Sequence, residues 1–144
     1  MSMLTNFIIA DLEEVDAICE SSSPTQEWRG VELRNFVPAK IATLDSMLTG
    51  EFFGDTLSQY ESLYSASDDG PWIVALSQPL IEKLALLDEE AVEQVGEELA
   101  ASEEFEREEW PVDEVQAALA EIASLASITI AQEKALFVWM MPDR

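Results

Sequence analysis

Apolar residues along the chain follow two different spacings. Met3–Ala10 and Pro71–Leu76 are short apolar runs rich in branched or aromatic residues, and "ALFVWMM" from Ala135 to Met141 has the same character. Short apolar runs of this kind, bounded by turn residues, predict buried β-strands. The segment "EWRGVELRNF" at residues 27–36 has a mixed pattern and has room for one further short strand.

Between these segments, apolar residues recur at the spacing of amphipathic helices. A first helix is expected after Asp11, because Asp11 and Glu14 have the spacing of a capping box. Later helices are expected to begin near Pro38, Ser77, Asp88 and Pro111. The expected inward stripes, helix by helix, are Leu12, Val15, Ile18 and Cys19; Ile41, Leu44, Met47 and Leu48; Ile81, Leu84, Ala85 and Leu87; Val92, Val95 and Leu99; and Val115, Leu119, Ile122, Leu125, Ala126 and Ile130.

Strands at both ends and in the middle, with helices between them, predict an α+β fold. We expect residues 1–144 to form a single domain in which the N- and C-terminal strands share one small sheet packed against several helices. The segment 51–70 is expected to be irregular, with room for one short helix. Asp68 and Asp69 within it suit either a carboxylate pair or a tight turn before Gly70 and Pro71, and turn chemistry favours the second.

Charge changes the range of plausible partners. The chain has 30 acidic and 7 basic residues, no histidine and a net charge of −23. Such a field repels nucleic acid, whose binding needs Lys and Arg at the phosphates, and it disfavours anionic membranes. Metal ions and basic protein surfaces remain compatible with it. We therefore expect no nucleic-acid or membrane partner and a monomer or small homo-oligomer.

Missing residue types exclude most catalytic machinery. Without histidine there is no Ser-His-Asp or Cys-His system, and a single cysteine allows neither an internal disulfide nor a thiolate zinc cluster. The glycines do not form a phosphate loop, so no cofactor is expected. Cys19 is expected to be a buried structural thiol. The N-terminus lacks a signal-peptide pattern and no apolar run is long enough to span a membrane, which together predict a cytoplasmic protein.

Three of the few bases lie close together in sequence. Arg29, Arg34 and Lys40 fall within twelve residues and have room to form a small anion-binding patch. Pairing with nearby acids such as Glu27 and Glu32 is the favoured interpretation, since exposed ion pairs of this kind are common and weak.

The acidic stretch from Asp88 to Glu114 holds thirteen acids and one base, Arg107. Most of these acids have structural explanations, because they lie on outer helix faces or in first helical turns. The segment "SEEFEREEW" at residues 102–110 has none, because its charges surround two aromatic residues between helices. We therefore predict a partner-binding site there, at Glu103, Glu104, Phe105, Glu106, Glu108, Glu109 and Trp110.

Both ends of the chain resemble one known family. The opening "MSMLTNFIIADLEEVDAICES", the segment "LDSMLTG" from Leu44 to Gly50 and the closing "IASLASITIAQEKALFVWMM" are similar in order and layout to the YfbM-like family of small bacterial proteins, a domain of unknown function. The resemblance implies a single α+β domain and no established activity, so it transfers no catalytic residue. Where the family tends to have Trp and His, this chain has Ile41 and Asp45. If that His served chemistry, this chain has lost it; if it served packing, an Asp at that helical position must be exposed or paired.

Three functional hypotheses follow. The first is a non-catalytic binding module, immunity- or regulator-like, whose acidic surface engages a basic protein. An enzyme is less expected, and it would use carboxylates or a divalent metal such as magnesium, calcium or manganese. A third possibility is DNA mimicry by the acidic helix, on which Glu89, Glu93 and Glu97 are spaced about 6 Å apart along the axis.

Overall fold

The structure, a computed structural model, describes residues 2–21, 24–36, 38–55, 64–65 and 71–143. Its strands form one antiparallel sheet in the order β2-β1-β5-β4-β3. The strands are β1 Ser2–Ala10, β2 Gly30–Arg34, β3 Tyr64–Ser65, β4 Trp72–Ala75 and β5 Ala135–Asp143. The two terminal strands, β1 and β5, are neighbours that pair from Ser2 opposite Asp143 to Ala10 opposite Ala135. The predicted α+β fold and its shared terminal sheet are confirmed.

Four helices begin close to the predicted starts near Pro38, Ser77, Asp88 and Pro111, whereas Pro24–Glu27 and Glu103–Glu106 form short helices that the sequence did not predict, the second within the segment expected to lie between helices. The helices are α1 Val15–Glu20, which follows a 3-10 turn at Leu12–Glu14, then α2 Pro24–Glu27, α3 Pro38–Thr49, α4 Gln78–Ala85, α5 Glu89–Ala100, α6 Glu103–Glu106 and α7 Val112–Gln132. The Ser77 hydroxyl accepts a hydrogen bond from the Leu80 amide (3.3 Å), and the Asp88 carboxylate accepts one from the Ala91 amide (2.8 Å). These bonds satisfy amides that a helix N-terminus otherwise leaves unpaired.

The sheet buries both of its faces. One face, which includes Phe7, Ile9, Val138 and Met140, packs against α3 to α7 in the main core. The other face, which includes Ile8 and Trp139, forms a smaller cluster with α1. Cys19 lies in this second cluster and is buried, as the sequence predicted for a structural thiol.

Two positions predicted to face inward are exposed. Leu12 is 72% exposed in the 3-10 turn, and Ile130 is 41% exposed on α7. In α7 the buried stripe runs through Val115, Leu119, Ile122, Ala126 and Thr129, a regular alternation of four- and three-residue steps that excludes Ile130. The Thr129 hydroxyl donates to the Leu125 carbonyl oxygen at 2.7 Å, which allows this polar residue to be buried.

Helix α7 is central to the main core. Among the described residues it is the one helix whose length and composition would also allow it to cross a membrane, and 39% of that window is buried. Length and composition of this kind are shared by core helices of globular domains. α7 packs against α4, α5 and three strands of the sheet, which is the environment of a core helix.

A glycine allows α5 to lie close to α7. A Cβ at Gly96 would lie 2.4 Å from Gln116 Cγ and 3.2 Å from Gln116 Cα.

Gly96→Ala gains about 1 kcal/mol in helix propensity, but the clash displaces the Gln116 amide group, which donates to the Glu93 carbonyl oxygen at 2.9 Å. We expect a net loss of about 1 kcal/mol in the free energy of unfolding, measured by urea denaturation. The double variant Gly96→Ala with Gln116→Ala should recover most of the lost free energy of unfolding. A Gly96→Ala variant more stable than the wild type would contradict the expected clash with Gln116.

Candidate functional site

The predicted partner-binding segment folds back onto α3. Within α6, Phe105 is 0% exposed. Its ring packs edge-on against Phe36 (5.6 Å between centroids) and against Trp110 (5.2 Å). Glu109 adopts the left-handed conformation (φ 55°), and the chain turns there so that the Trp110 amide donates to the Phe105 carbonyl oxygen at 3.2 Å. Phe105 is thus a core anchor that a partner cannot touch directly.

The other candidate residues lie at the surface. The side chains of Glu103, Glu106, Glu108 and Glu109 are exposed, and those of Glu104 and Trp110 are half-buried. Glu103 forms an ion pair with Arg107 at 2.8 Å on the exposed side of α6. Their role in binding a partner stays a prediction.

Lys40 was missed as part of this site. It was expected to pair with surface acids such as Glu27 or Glu32, and that prediction is wrong, because Lys40 is 1% exposed and extends beneath the 105–110 segment. Its ammonium group donates to Glu108 Oε2 at 2.5 Å and to the Asn35 carbonyl oxygen at 2.8 Å. It also lies 5.7 Å and 5.4 Å from the ring centroids of Phe105 and Trp110, within cation–π range.

A sequence signal for this burial exists. Lys40 precedes Leu44 by four residues and Met47 by seven, so it lies on the inward stripe of α3. Lysine is usually exposed, so this spacing alone is a weak sign of burial.

Glu108 connects the buried lysine to the indole. Its Oε2 atom accepts from Lys40, and its Oε1 atom lies 3.4 Å from Trp110 Nε1, a long hydrogen bond. Burial raises the pKa of the Glu108 carboxyl, but the hydrogen bond and charge of Lys40, aided by the Trp110 indole, outweigh burial and hold that pKa below its usual value. The carboxylate is therefore charged at neutral pH and fixes both neighbours.

The lowered pKa predicts a pH-dependent contribution to stability. Because the folded pKa is depressed, the Glu108 interaction contributes fully above its unfolded pKa of about 4.5 and is lost as pH falls through the folded value. We expect the difference in unfolding free energy between the wild type and Glu108→Gln to be constant near neutral pH and to shrink below about pH 4. Urea denaturation at several pH values measures it. A difference that does not change with pH would contradict the linkage.

A cleft of about 450 Å³ opens beside this arrangement. One wall is the end of β2 and the residues after it, from Leu33 to Asn35, and the opposite wall is the first half of α7. Trp110 and Pro111 lie between the two walls. The cleft is lined by four carboxylates and one guanidinium, from Glu108, Glu109, Glu114, Glu121 and Arg34. We refer to it as the Trp110 cleft.

Asp45, the position that departs from the family pattern, is both buried and paired. Its Oδ1 atom accepts from the Thr49 hydroxyl at 3.0 Å and its Oδ2 atom from the Ser77 hydroxyl at 3.2 Å. Because the Ser77 hydroxyl caps α4, the carboxylate joins α3 to the start of α4. Of the two alternatives for this position, these contacts agree with the packing role, for which a paired aspartate is expected.

The hypothesis of a metal-dependent enzyme needs a group of side chains that can bind a metal ion together. Within the part of the chain that the structure describes, no three Cys, Asp or Glu side chains are arranged to hold a metal ion. Asp68 and Asp69, the pair considered for such a role, lie outside the described residues.

Comparison with known proteins found a similar solved structure. No protein-family model matches the sequence, and no curated protein matches it. A crystal structure of YfbM from Escherichia coli, a protein of unknown function, matches 96% of this chain and 99% of that chain, with 15% sequence identity and a TM-score of 0.47. The chain is similar to YfbM. The resemblance inferred from the sequence is thereby confirmed. The function of YfbM is itself unknown, so the comparison assigns no activity to the Trp110 cleft.

Proposed function

We propose that this protein is a non-catalytic cytoplasmic binding module that engages a basic segment of another protein through the Trp110 cleft. The observation that carries the proposal is the composition of the cleft, in which four carboxylates and one arginine line a partly buried indole. A net charge of −23 would attract a basic partner over a distance and speed their encounter.

The cleft also supplies short-range recognition. An indole with carboxylates around it suits the side chain of arginine or lysine, which can stack on the ring while its charge meets a carboxylate. Trp110 is held in place by its contacts with Phe105, Lys40 and Glu108. Because the indole is already fixed before binding, docking of a partner costs less conformational entropy.

The alternatives are supported by fewer observations. DNA mimicry rests on Glu89, Glu93 and Glu97, which are exposed on α5, but any solvated helix face shows the same spacing. A carboxylate enzyme would need converging acids, and the acids of the Trp110 cleft have no metal-binding arrangement among the described residues.

A charge-matched pair of variants tests the proposed function. Glu114→Gln with Glu121→Gln removes two charges from the cleft, and Glu89→Gln with Glu93→Gln removes two charges from α5, away from it. The probe is a labelled peptide of alternating lysine and valine, and its dissociation constant is measured by fluorescence anisotropy at low salt. We expect the cleft variant to bind at least about fivefold more weakly and the α5 variant to change affinity by less than about twofold.

Two outcomes would contradict the proposal. Equal losses in both variants would mean that the peptide senses net charge and not the cleft. If the peptide does not bind the wild type at low salt, the hypothesis of a basic partner is itself contradicted.

A further inference from the structure

Strand β2 lies at an edge of the sheet. It pairs with β1 on one side, and among the described residues no strand adjoins its other side. An edge strand presents backbone N–H and C=O groups that an extended segment of another chain can pair with.

The hydrogen bonds at the two ends of β2 show which groups point outward. The Asn35 amide donates to the Met3 carbonyl oxygen at 2.7 Å, and the Ile9 amide donates to the Arg29 carbonyl oxygen at 2.9 Å. Residues of an antiparallel strand alternate in direction, so the odd-numbered positions of β2 bond to β1. The backbone groups of Gly30 and Glu32 therefore point away from the sheet.

A groove follows this edge. A second cleft, of about 260 Å³, lies between Arg29–Val31 and the middle of α7 at Ser124 and Ile128. Glu121 lines both this cleft and the Trp110 cleft, so the two are neighbours along β2. We call the combined feature the edge groove, bounded by residues 29–35 on one side and 110–128 on the other. Five residues of β2 offer about 17 Å of strand, enough for a short extended segment.

The charges of the edge groove favour a basic occupant. Four carboxylates line it against two guanidinium groups, from Glu108, Glu109, Glu114, Glu121, Arg29 and Arg34. A second copy of this chain is a poor occupant, because each copy carries a net charge of −23 and the two would repel each other.

We propose that an extended basic segment of a partner protein adds to the sheet as a strand along β2. Its backbone pairs with the outward groups of Gly30 and Glu32. Its side chains on one face lie against α7, where cationic groups reach Glu121 and Glu114, and Trp110 closes one end of the groove. This deepens the proposed function, because it specifies how the same partner class is recognised. Strand addition provides affinity through main-chain hydrogen bonds and specificity through alternate side chains.

Backbone methylation of the probe tests strand addition separately from charge. Two forms of the lysine–valine peptide are made, with N-methyl groups at every odd or at every even position, so that charge and sequence stay the same. A strand pairs with an edge through one set of amides only. We expect at least one methylated form to bind the wild type at least about tenfold more weakly than the parent peptide.

A substitution in β2 provides the matching test on the protein. Glu32→Pro removes an outward amide and leaves the bonds to β1 intact, because proline is accepted on an edge strand when its nitrogen faces solvent. Glu32→Gln controls for the lost charge. We expect Glu32→Pro to weaken binding at least about fivefold relative to Glu32→Gln, with unchanged circular dichroism. The methylated peptides decide the question with the wild type if Glu32→Pro does not fold.

The outcomes separate the two proposals. If both methylated forms bind like the parent peptide, strand addition is overturned and charge-based docking in the cleft still stands. If no form binds at low salt, the proposed function and this inference fail together. A concentration-dependent dimer in sedimentation experiments that Glu32→Pro dissociates would overturn the basic partner in favour of a second copy.

Discussion

Phe105→Ala is expected to lower the free energy of unfolding by about 4 kcal/mol. Phe105 is completely buried and packs edge-on against Phe36 and Trp110, with the Lys40 ammonium 5.7 Å from its ring centroid. Removal of the ring leaves a cavity, and the Phe36 ring, the Trp110 ring and the Lys40 ammonium group lose their contacts with it. Urea denaturation followed by circular dichroism measures the loss.

A phenylalanine elsewhere provides the matched control. Phe52 is 76% exposed, so Phe52→Ala should change the free energy of unfolding by less than about 0.5 kcal/mol. Phe105→Leu retains much of the apolar volume and should cost roughly 1–2 kcal/mol. A loss below about 1 kcal/mol for Phe105→Ala would show that the 103–110 segment contributes little to the core.

Glu108→Ala is expected to destabilise the protein more than Lys40→Met, although both break the same ion pair. Lys40 is 1% exposed and the Glu108 side chain is 43% exposed. Removing Glu108 leaves an ammonium group without its carboxylate inside the protein, which costs about 3 kcal/mol. Removing Lys40 leaves a carboxylate that can turn to water, so we expect about 1 kcal/mol.

The double variant and a surface pair complete the test. Lys40→Met with Glu108→Ala should be close to Lys40→Met alone, since no buried charge remains to be unpaired. Glu103→Ala breaks the exposed pair with Arg107 and should cost less than about 0.5 kcal/mol. If Glu108→Ala and Lys40→Met lower the free energy of unfolding equally, the argument from the difference in burial between the two residues is contradicted. Thermal or urea denaturation of the four variants gives the comparison.

Most of the fold could be predicted from local patterns. The caps at Ser77 and Asp88, the strands at both ends and the helix after Pro111 follow from periodicity and capping residues, which involve neighbours in sequence. The errors lie at turns and stripe edges. Leu12 falls in a 3-10 turn whose spacing differs from that of an α-helix. β3, with two residues, is too short to leave a periodic signal.

The candidate site could be predicted only in part. The sequence identified the segment at 102–110 because its charges surround Phe105 and Trp110 without a helical explanation. It did not identify Lys40, which lies 68 residues before Glu108, or the contributions of β2 and α7 to the cleft. Contacts between distant parts of a chain leave no local pattern. The burial of Phe105 likewise depends on α3, which the acidic neighbours of Phe105 do not reveal.

Pairing between β1 and β5 has a consequence for how the chain assembles during synthesis. β1 precedes the other strands of this sheet in the sequence, and its longest partner, β5, follows them. Until β5 is available, β1 can pair only with β2, and β4 has no strand connecting it to β1. The nascent chain must therefore hold exposed strand edges until β5 has been synthesised, a state in which chaperone contact is most useful. Contacts so distant in sequence also predict slow folding for a domain of this size.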